Sequence, residues 1–461
     1  MAELEAYLRE HSTRFEEELC SLLRIPSVSA DSAHAGDVAS AAAWVAEQFK
    51  MMGLPTEVIP AEAVGTAGHP LVYAETPPVD GAPTVLVYGH YDVQPADPVE
   101  LWDSPPFEPT RRHGNIVARG ATDDKGQMLT HLKSTEAWLK TEGRLPLQLK
   151  FIIEGEEEVG GATLSKYLAE HAADRLACDC VVISDGAQFA PDVPAICHGL
   201  RGIAYYELRL KGPQRDLHSG SFGGTITNPA NALTQMLAAL VDDRGRVQVP
   251  GFHDDITPLT DDERDRLAEL PFNETEYLHG VGVEATAAGE QGYSILERRW
   301  TRPTFDICGI WGGYQAEGAK TVLPSTAGAK FSFRLVPEQD PAKITAGVRQ
   351  RLEELCPPGI QMELVDFHGS PGMVVSPDSP YVEAASRAIE AAFGRPPVLT
   401  REGGSIPIVA EMAERLGAAI LLIGWGQDDD NTHSPNEKFS LVDFHRGIHA
   451  SAMLWRELAR A

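Results

Sequence analysis

Four short apolar runs constrain this chain more than anything else in it: Thr84 to Tyr88, Leu147 to Ile153, Cys180 to Ser184 and Ala418 to Ile423. Runs of this kind read as strands buried on both faces, which needs helices on both sides of the sheet. Helical segments around 126 to 142 and 161 to 173 separate them. Before them, Phe15, Leu19, Leu22 and Leu23 fall on one helix face before Pro26. Val38, Ala42, Val45, Phe49 and Met52 form a second helical stripe that Gly53 ends. The expected fold class is α/β: a mixed, mostly parallel sheet flanked by helices.

From about residue 200 the pattern becomes strand (Ile203 to Leu210), helix (Pro229 to Val241), strands (Phe305 to Trp311, Ala329 to Val336), helix (Pro341 to Leu355) and strand (Ile360 to Phe367). That β-α-β-β-α-β order is the split arrangement of a ferredoxin-like α+β sandwich. Helices near 379 to 393, 407 to 415 and 441 to 459 then resume the first pattern. We therefore expect a catalytic domain from residues 1–199 and 370–461, with an inserted domain at 200–369. Residues 245–303, with the acidic cluster Asp254, Asp255, Asp261, Asp262 and Glu263, read as a solvated elaboration.

Charge and cysteine content narrow the function. With 67 acidic and 39 basic residues among 461, the net charge of −28 repels phosphate backbones and anionic lipid headgroups, so neither nucleic-acid nor membrane-surface binding is expected. The six cysteines form no disulfide framework, and Cys178 and Cys180 are too closely spaced for the usual zinc-binding pair. The N-terminus is charged throughout, and no apolar run reaches the roughly 18 residues of a membrane span. A cytoplasmic protein is expected.

Open α/β sheets place their ligand sites at the carboxyl ends of the strands. Five places put metal-ligating side chains there. His90 follows the first run, and Asp92 is spaced to fix its tautomer. Asp123 and Asp124 precede a helix, where they also fit a plain capping role. Glu154, Glu156, Glu157 and Glu158 crowd the end of the second run, Asp185 ends the third, and Asp428 to Glu437, including His433, follows the fourth. Histidines and carboxylates together suit zinc, manganese or cobalt.

The motifs that carry these residues resemble the co-catalytic two-metal exopeptidases and deacylases. That family includes cytosolic nonspecific dipeptidase, carnosinase, aminoacylase, acetylornithine deacetylase and succinyl-diaminopimelate desuccinylase. The match to the dipeptidase branch rests on Gly89-His-Tyr-Asp-Val-Gln-Pro, Gly120-Ala-Thr-Asp-Asp-Lys-Gly, Asp216-Leu-His-Ser-Gly, Phe331-Ser-Phe-Arg-Leu-Val-Pro and Arg401-Glu-Gly-Gly-Ser-Ile-Pro. The resemblance implies two divalent metal ions per subunit, with zinc foremost and manganese or cobalt as alternatives. His90 and Asp185 would bind one ion, Glu158 and His433 the other, and Asp123 would bridge them. It also implies a cis peptide at Asp123-Asp124, Asp92 orienting His90, and Glu157 as the general base that takes a proton from the attacking water and returns it to the leaving amine. Glu156, which has no role in that set, is read as pointing to solvent.

By the same resemblance His218 reaches across a homodimer, built through the inserted domain, to steady the oxyanion, and Arg334 grips the substrate's terminal carboxylate. His368, Gly404 and Ser405 are further expected substrate contacts. The implied activity is hydrolysis of dipeptides or other small unblocked peptides. Removal of acyl groups from N-acyl amino acids is the rival that uses the same metal core. A metal-free scaffold would have lost a ligand or the base, and all are present. A serine hydrolase built on Ser219 or Ser221 lacks the Gly-x-Ser-x-Gly elbow.

Overall fold

The computed structural model describes residues 1–404 and 406–461, and all of their side chains except those of His368 and Pro407. Two of the expected substrate contacts, Ser405 and the side chain of His368, thus lie outside the described residues. Internal contacts divide the chain into two compact units: Met1–His198 with Val375–Thr400 and Glu411–Ala461, and Gly199–Val374 with Arg401–Ala410.

The first unit is built on the four apolar runs. Strands Gln148–Glu154, Thr84–His90, Cys180–Ser184 and Ala419–Ile423 lie side by side in that order, all parallel. Val85 and Val87 join the main apolar core, while the alternate residues Leu86 and Tyr88 are buried too. Burial of both faces explains why these strands are largely apolar, although Gln148–Glu154 carries Gln148, Lys150 and Glu154 on one face. Antiparallel strands flank the parallel block. Leu71–Glu75 and then Thr56–Ile59 extend it beyond Gln148–Glu154, and Ala195–Leu200 pairs with Ala419–Ile423. These flanking strands have no counterpart in the sequence reading.

Helix Lys125–Glu142, buried from Lys125 through Trp138, packs with Leu441–Leu458, which packs in turn with Pro380–Phe393. The start of the first of these helices is pinned. Lys125, fully buried, donates to the carbonyls of Ile25 at 2.7 Å and Leu22 at 3.3 Å, at the carboxyl end of helix Ser12–Leu23. A cation there complements the helix dipole. Burial pushes the Lys125 ammonium down to a pKa of about 7, against the raising influence of Asp92.

The second unit contains an antiparallel sheet in the order Thr304–Gly312, Thr326–Leu335, Gly202–Lys211, Gln361–Ser370. Tyr206, Leu208, Phe331 and Phe333 share a core with Leu233 and Met236 of helix Pro229–Ala238 and Ile344 and Val348 of helix Pro341–Leu355. The segment Arg401–Ala410 belongs to this unit for identifiable reasons. Arg201 donates from its backbone to Glu402 and from its side chain to the Gly403 carbonyl, and Arg401 pairs with Glu263 at 2.8 Å.

Residues 245–303 are more buried than a solvated elaboration. Val249, Phe252, Ile295 and Trp300 are buried, and Arg302 is paired with a buried Glu290. Part of the acidic cluster has a local explanation. Asp261, Asp262 and Glu263 form the first turn of helix Asp261–Glu269, where Thr260 and Glu263 make a capping box and negative charge is favourable. Among the described residues, no helix is long and apolar enough to cross a membrane.

Candidate metal centre

Parallel register brings the chemistry together. His90 pairs with Glu154 at the ends of adjacent strands, and Ser184 pairs with Ile423 at the ends of the next two. Asp185 is one residue beyond Ser184, the Glu157–Val159 turn follows Glu154, and the loop after Ile423 carries His433. Asp123 sits just before helix Lys125–Glu142, and the peptide joining it to Asp124 is cis. All five metal-binding residues expected from the motifs belong to the first unit.

They form two groups of donors that share one member: His90, Asp123 and Asp185, and Asp123, Glu158 and His433. Asp123 Oδ1 lies 3.2 Å from His90 Nε2, whereas Asp123 Oδ2 lies 2.9 Å from His433 Nε2. One carboxylate thus offers a different oxygen to each histidine. Asp185 is 3.8 Å from His90 Nε2, and Glu158 is 3.4 Å from His433 Nε2. His90 Nε2 is fully buried and has no hydrogen-bond partner among the described residues. A buried ring nitrogen without a bonded proton partner, aimed among carboxylates, fits a cation better than an empty pocket. His433 is 57% exposed in its side chain and has φ of 58°, so a left-handed residue presents the outer imidazole.

The protonation tendencies belong to a site built for positive charge. Burial raises Asp185 well above the usual carboxylate range, and Asp123 adds to the effect. Burial and the Asp123 charge push Glu158 up to about 7, and burial also raises Glu157. For Asp123 burial acts in the same direction, but the neighbouring imidazoles of His433 and His90 hold it well below the ordinary value. His90 would be lowered by burial, yet Asp123 and Asp92 raise it. Clustered carboxylates that resist ionising together are what a divalent cation relieves.

A second layer holds these donors. Asp92, fully buried, accepts the Glu157 N–H on Oδ1 at 3.3 Å and the Glu158 N–H on Oδ2 at 3.2 Å. His90 Nδ1 lies 3.1 Å from the Asp92 carbonyl and 3.4 Å from Oδ1, so Asp92 fixes both a histidine and the glutamate turn. Gln94 donates to Glu158 Oε2 at 2.6 Å, and Asp124 accepts the His90 N–H at 3.2 Å instead of capping its helix. Glu156 does not point to solvent. It is buried and accepts the Thr163 N–H at 3.0 Å, satisfying a free donor in the first turn of helix Ala162–His171. Sequence reasoning assigned no role to Gln94, Glu156, Asp430 or Glu437. The local signals were the dense runs of charge around Glu156, Asp430 and Glu437 and the Gly89-His-Tyr-Asp-Val-Gln-Pro motif that contains Gln94.

The remaining expected residues belong to the second unit. His218 is exposed, at the end of the short strand Leu217–His218, with Nδ1 accepting the Gly220 N–H at 3.0 Å. Arg334 alternates with the buried Phe333 and Leu335, which places it on the sheet face away from that core. Gly404 is exposed. A side chain at its neighbour Gly403 would come within 3.0 Å of Arg201 and of the Arg299 carbonyl.

The sequence profile of Peptidase family M20/M25/M40 matches residues 86–457. The chain is a member of that peptidase family. It is 33% identical over 455 residues to the Cys-Gly metallodipeptidase DUG1 of Saccharomyces cerevisiae, covering 95% of this chain and 94% of that protein. It is 35% identical over 398 residues to human Beta-Ala-His dipeptidase, covering 85% and 78%. Among solved structures, the M20-family metallo-carboxypeptidase Sso-CP2 of Sulfolobus solfataricus superposes with a TM-score of 0.85 at 31% identity, covering 97% of this chain and 99% of that one. This M20 peptidase thus shares its fold along nearly its whole length with metallopeptidases.

Proposed function

We propose that the protein is a metal-dependent dipeptidase acting on small peptides with a free amino terminus. The single observation that carries the metal assignment is Asp123, whose two oxygens face His90 and His433 in separate donor groups. His90 and Asp185 are assigned to one ion, Glu158 and His433 to the other, and Asp123 to both. The donor set suits zinc foremost, with manganese or cobalt as alternatives. When bound, such cations would polarise the scissile carbonyl and acidify the attacking water.

Glu157, in neither donor group but tied by its N–H to Asp92, takes the proton from that water and delivers it to the leaving amine. His218 is assigned to the oxyanion and Arg334 to the terminal carboxylate, with His368, Gly404 and Ser405 as further substrate contacts. The names of the yeast and human relatives support dipeptides over N-acyl amino acids. A homodimer through residues 200–369 and residence in a reducing cytoplasm complete the proposal.

The test is hydrolysis of alanyl-leucine beside N-acetyl-leucine by protein stripped of metal and reconstituted in parallel with zinc and with manganese. Cleavage of the dipeptide only after reconstitution is expected. Preference for the acetylated substrate would replace the dipeptidase reading with the deacylase one.

A further inference from the structure

Behind Asp123 lies a carboxylate that neither donor group uses. Glu437 is fully buried, four residues beyond His433, and every oxygen lone pair that the surroundings address is taken by the turn leading into Asp123. Its Oε2 accepts from Arg119 Nη1 at 2.8 Å and from the Gly120 N–H at 2.8 Å. Its Oε1 accepts from the Thr122 N–H at 3.0 Å and the Asp123 N–H at 3.1 Å. The Glu437 carbonyl also accepts the Ala118 N–H at 3.0 Å. Gly120 has φ of 80°, so the turn takes a left-handed step there that glycine tolerates, and its amide reaches the carboxylate.

A buried carboxylate that takes three backbone N–H groups and a guanidinium is compensated on both oxygens, and it fixes the turn that supplies those donors. A neutral isostere would not. Glutamine has one oxygen and one NH2 group, and whichever way it turns, the NH2 meets either Arg119 and Gly120 or the amides of Thr122 and Asp123. Nearby, Thr122 Oγ1 donates to the Lys438 carbonyl at 2.6 Å and lies 3.0 Å from the buried Asp430, which accepts from Lys438 Nζ at 2.9 Å. The loop that carries His433 is therefore bonded to the turn that carries Asp123 at several points.

We propose that Glu437 is a positioning residue that aims the Asp123 carboxylate between the two histidines, so that both ions depend on it although it ligates neither. This rests on the metal assignment made above. The alternative is that Glu437 merely stabilises its own loop, in which case its loss would disturb His433 and only the ion that His433 holds.

The test is Zn2+ binding by the full chain, measured by competition with a chromophoric chelator, for wild type and E437Q, beside thermal melting of the metal-free proteins. The wild type must bind two ions; if it does not, the metal assignment itself fails, independently of Glu437. Loss of a partner behind a ligand typically costs about 10- to 100-fold in affinity, and a loss of that size is expected at both sites in E437Q. Weakening of one site alone, or a lower melting temperature with both affinities intact, would overturn the proposal. If E437Q does not fold, E437D decides: its shorter carboxylate keeps the charge but withdraws from the turn, and wild-type affinity at both sites would overturn the assignment.

Discussion

Replacing Asp92 with asparagine separates the two donor groups. The side chain of Asp92 accepts the Glu157 N–H on Oδ1 and the Glu158 N–H on Oδ2, and Oδ1 also faces His90 Nδ1. In D92N one of those oxygens becomes an NH2. At the Oδ1 position it would oppose both the Glu157 amide and the imidazole N–H; at the Oδ2 position it opposes only the Glu158 amide. The second orientation is the less costly and leaves the Glu158 N–H unpaired. An unsatisfied buried donor costs about 1–3 kcal/mol, and the 3.2 Å bond being lost is unexceptional in length. The metal-free turn can relax to relieve that cost, and holding Glu158 on the ion reimposes it; as tenfold in affinity corresponds to about 1.4 kcal/mol, the ion held by Glu158 should bind about 5- to 150-fold more weakly. The ion held by His90 and Asp185 should lose less. Zinc competition titrations resolve the two sites, and the reasoning fails if D92N weakens the His90 site more than the Glu158 site, or neither.

Glu157→Gln should keep both ions and lose about 10²- to 10⁴-fold in kcat, the usual worth of a general base; turnover within tenfold of wild type at two ions per chain would sink the assignment. His218→Ala should impair catalysis without releasing metal, and mixing it with E157Q should restore activity if the histidine serves a partner's site; confirmed heterodimers with no recovery would argue against that. Gly126→Ala should destabilise the fold by about 1–3 kcal/mol through overpacking, since the new Cβ would sit 2.0 Å from the Ala121 carbonyl and 2.6 Å from Phe439. Thermal unfolding reads this directly, and an unchanged melting temperature would contradict it. Burial would raise Glu136, but Arg14 and Lys133 hold it down at about 2. Its folded value lies below the unfolded one, so its contribution is complete above about pH 4.5 and disappears as the pH falls toward 2. Glu136→Gln should flatten the melting curve's decline over that window, and identical acid profiles would refute the attribution.

The parallel strands and the donors near them were legible because the strands are largely apolar, and three of the four end at or just before a charged residue, His90, Glu154 or Asp185; Ala419–Ile423 instead runs on through Gly424 and Trp425 before its acidic loop. The flanking strands were not. In Thr56–Ile59 Glu57 and Val58 are exposed, so this short edge strand carries no buried run. Leu71–Glu75 is buried but short, and Ala195–Leu200 is broken by His198 and Gly199. Glu156 was misread because its partner, the Thr163 amide, is a backbone group that no side-chain pattern advertises. Glu437 was visible as a charge beside His433, but its orientation toward the Gly120 to Asp123 turn depends on contacts made more than 300 residues apart in sequence.

The position of strand Ala419–Ile423 has a consequence for how the protein is made. It lies between Cys180–Ser184 and Ala195–Leu200, pairing with both. During synthesis those two earlier strands leave the ribosome long before their shared neighbour exists, and the apolar edge of Cys180–Ser184 stays open through translation of the entire second unit. An open strand edge of that composition invites pairing with other chains. Nascent chains stalled before residue 419 are therefore the form most in need of chaperone protection, whereas the finished molecule has closed that edge.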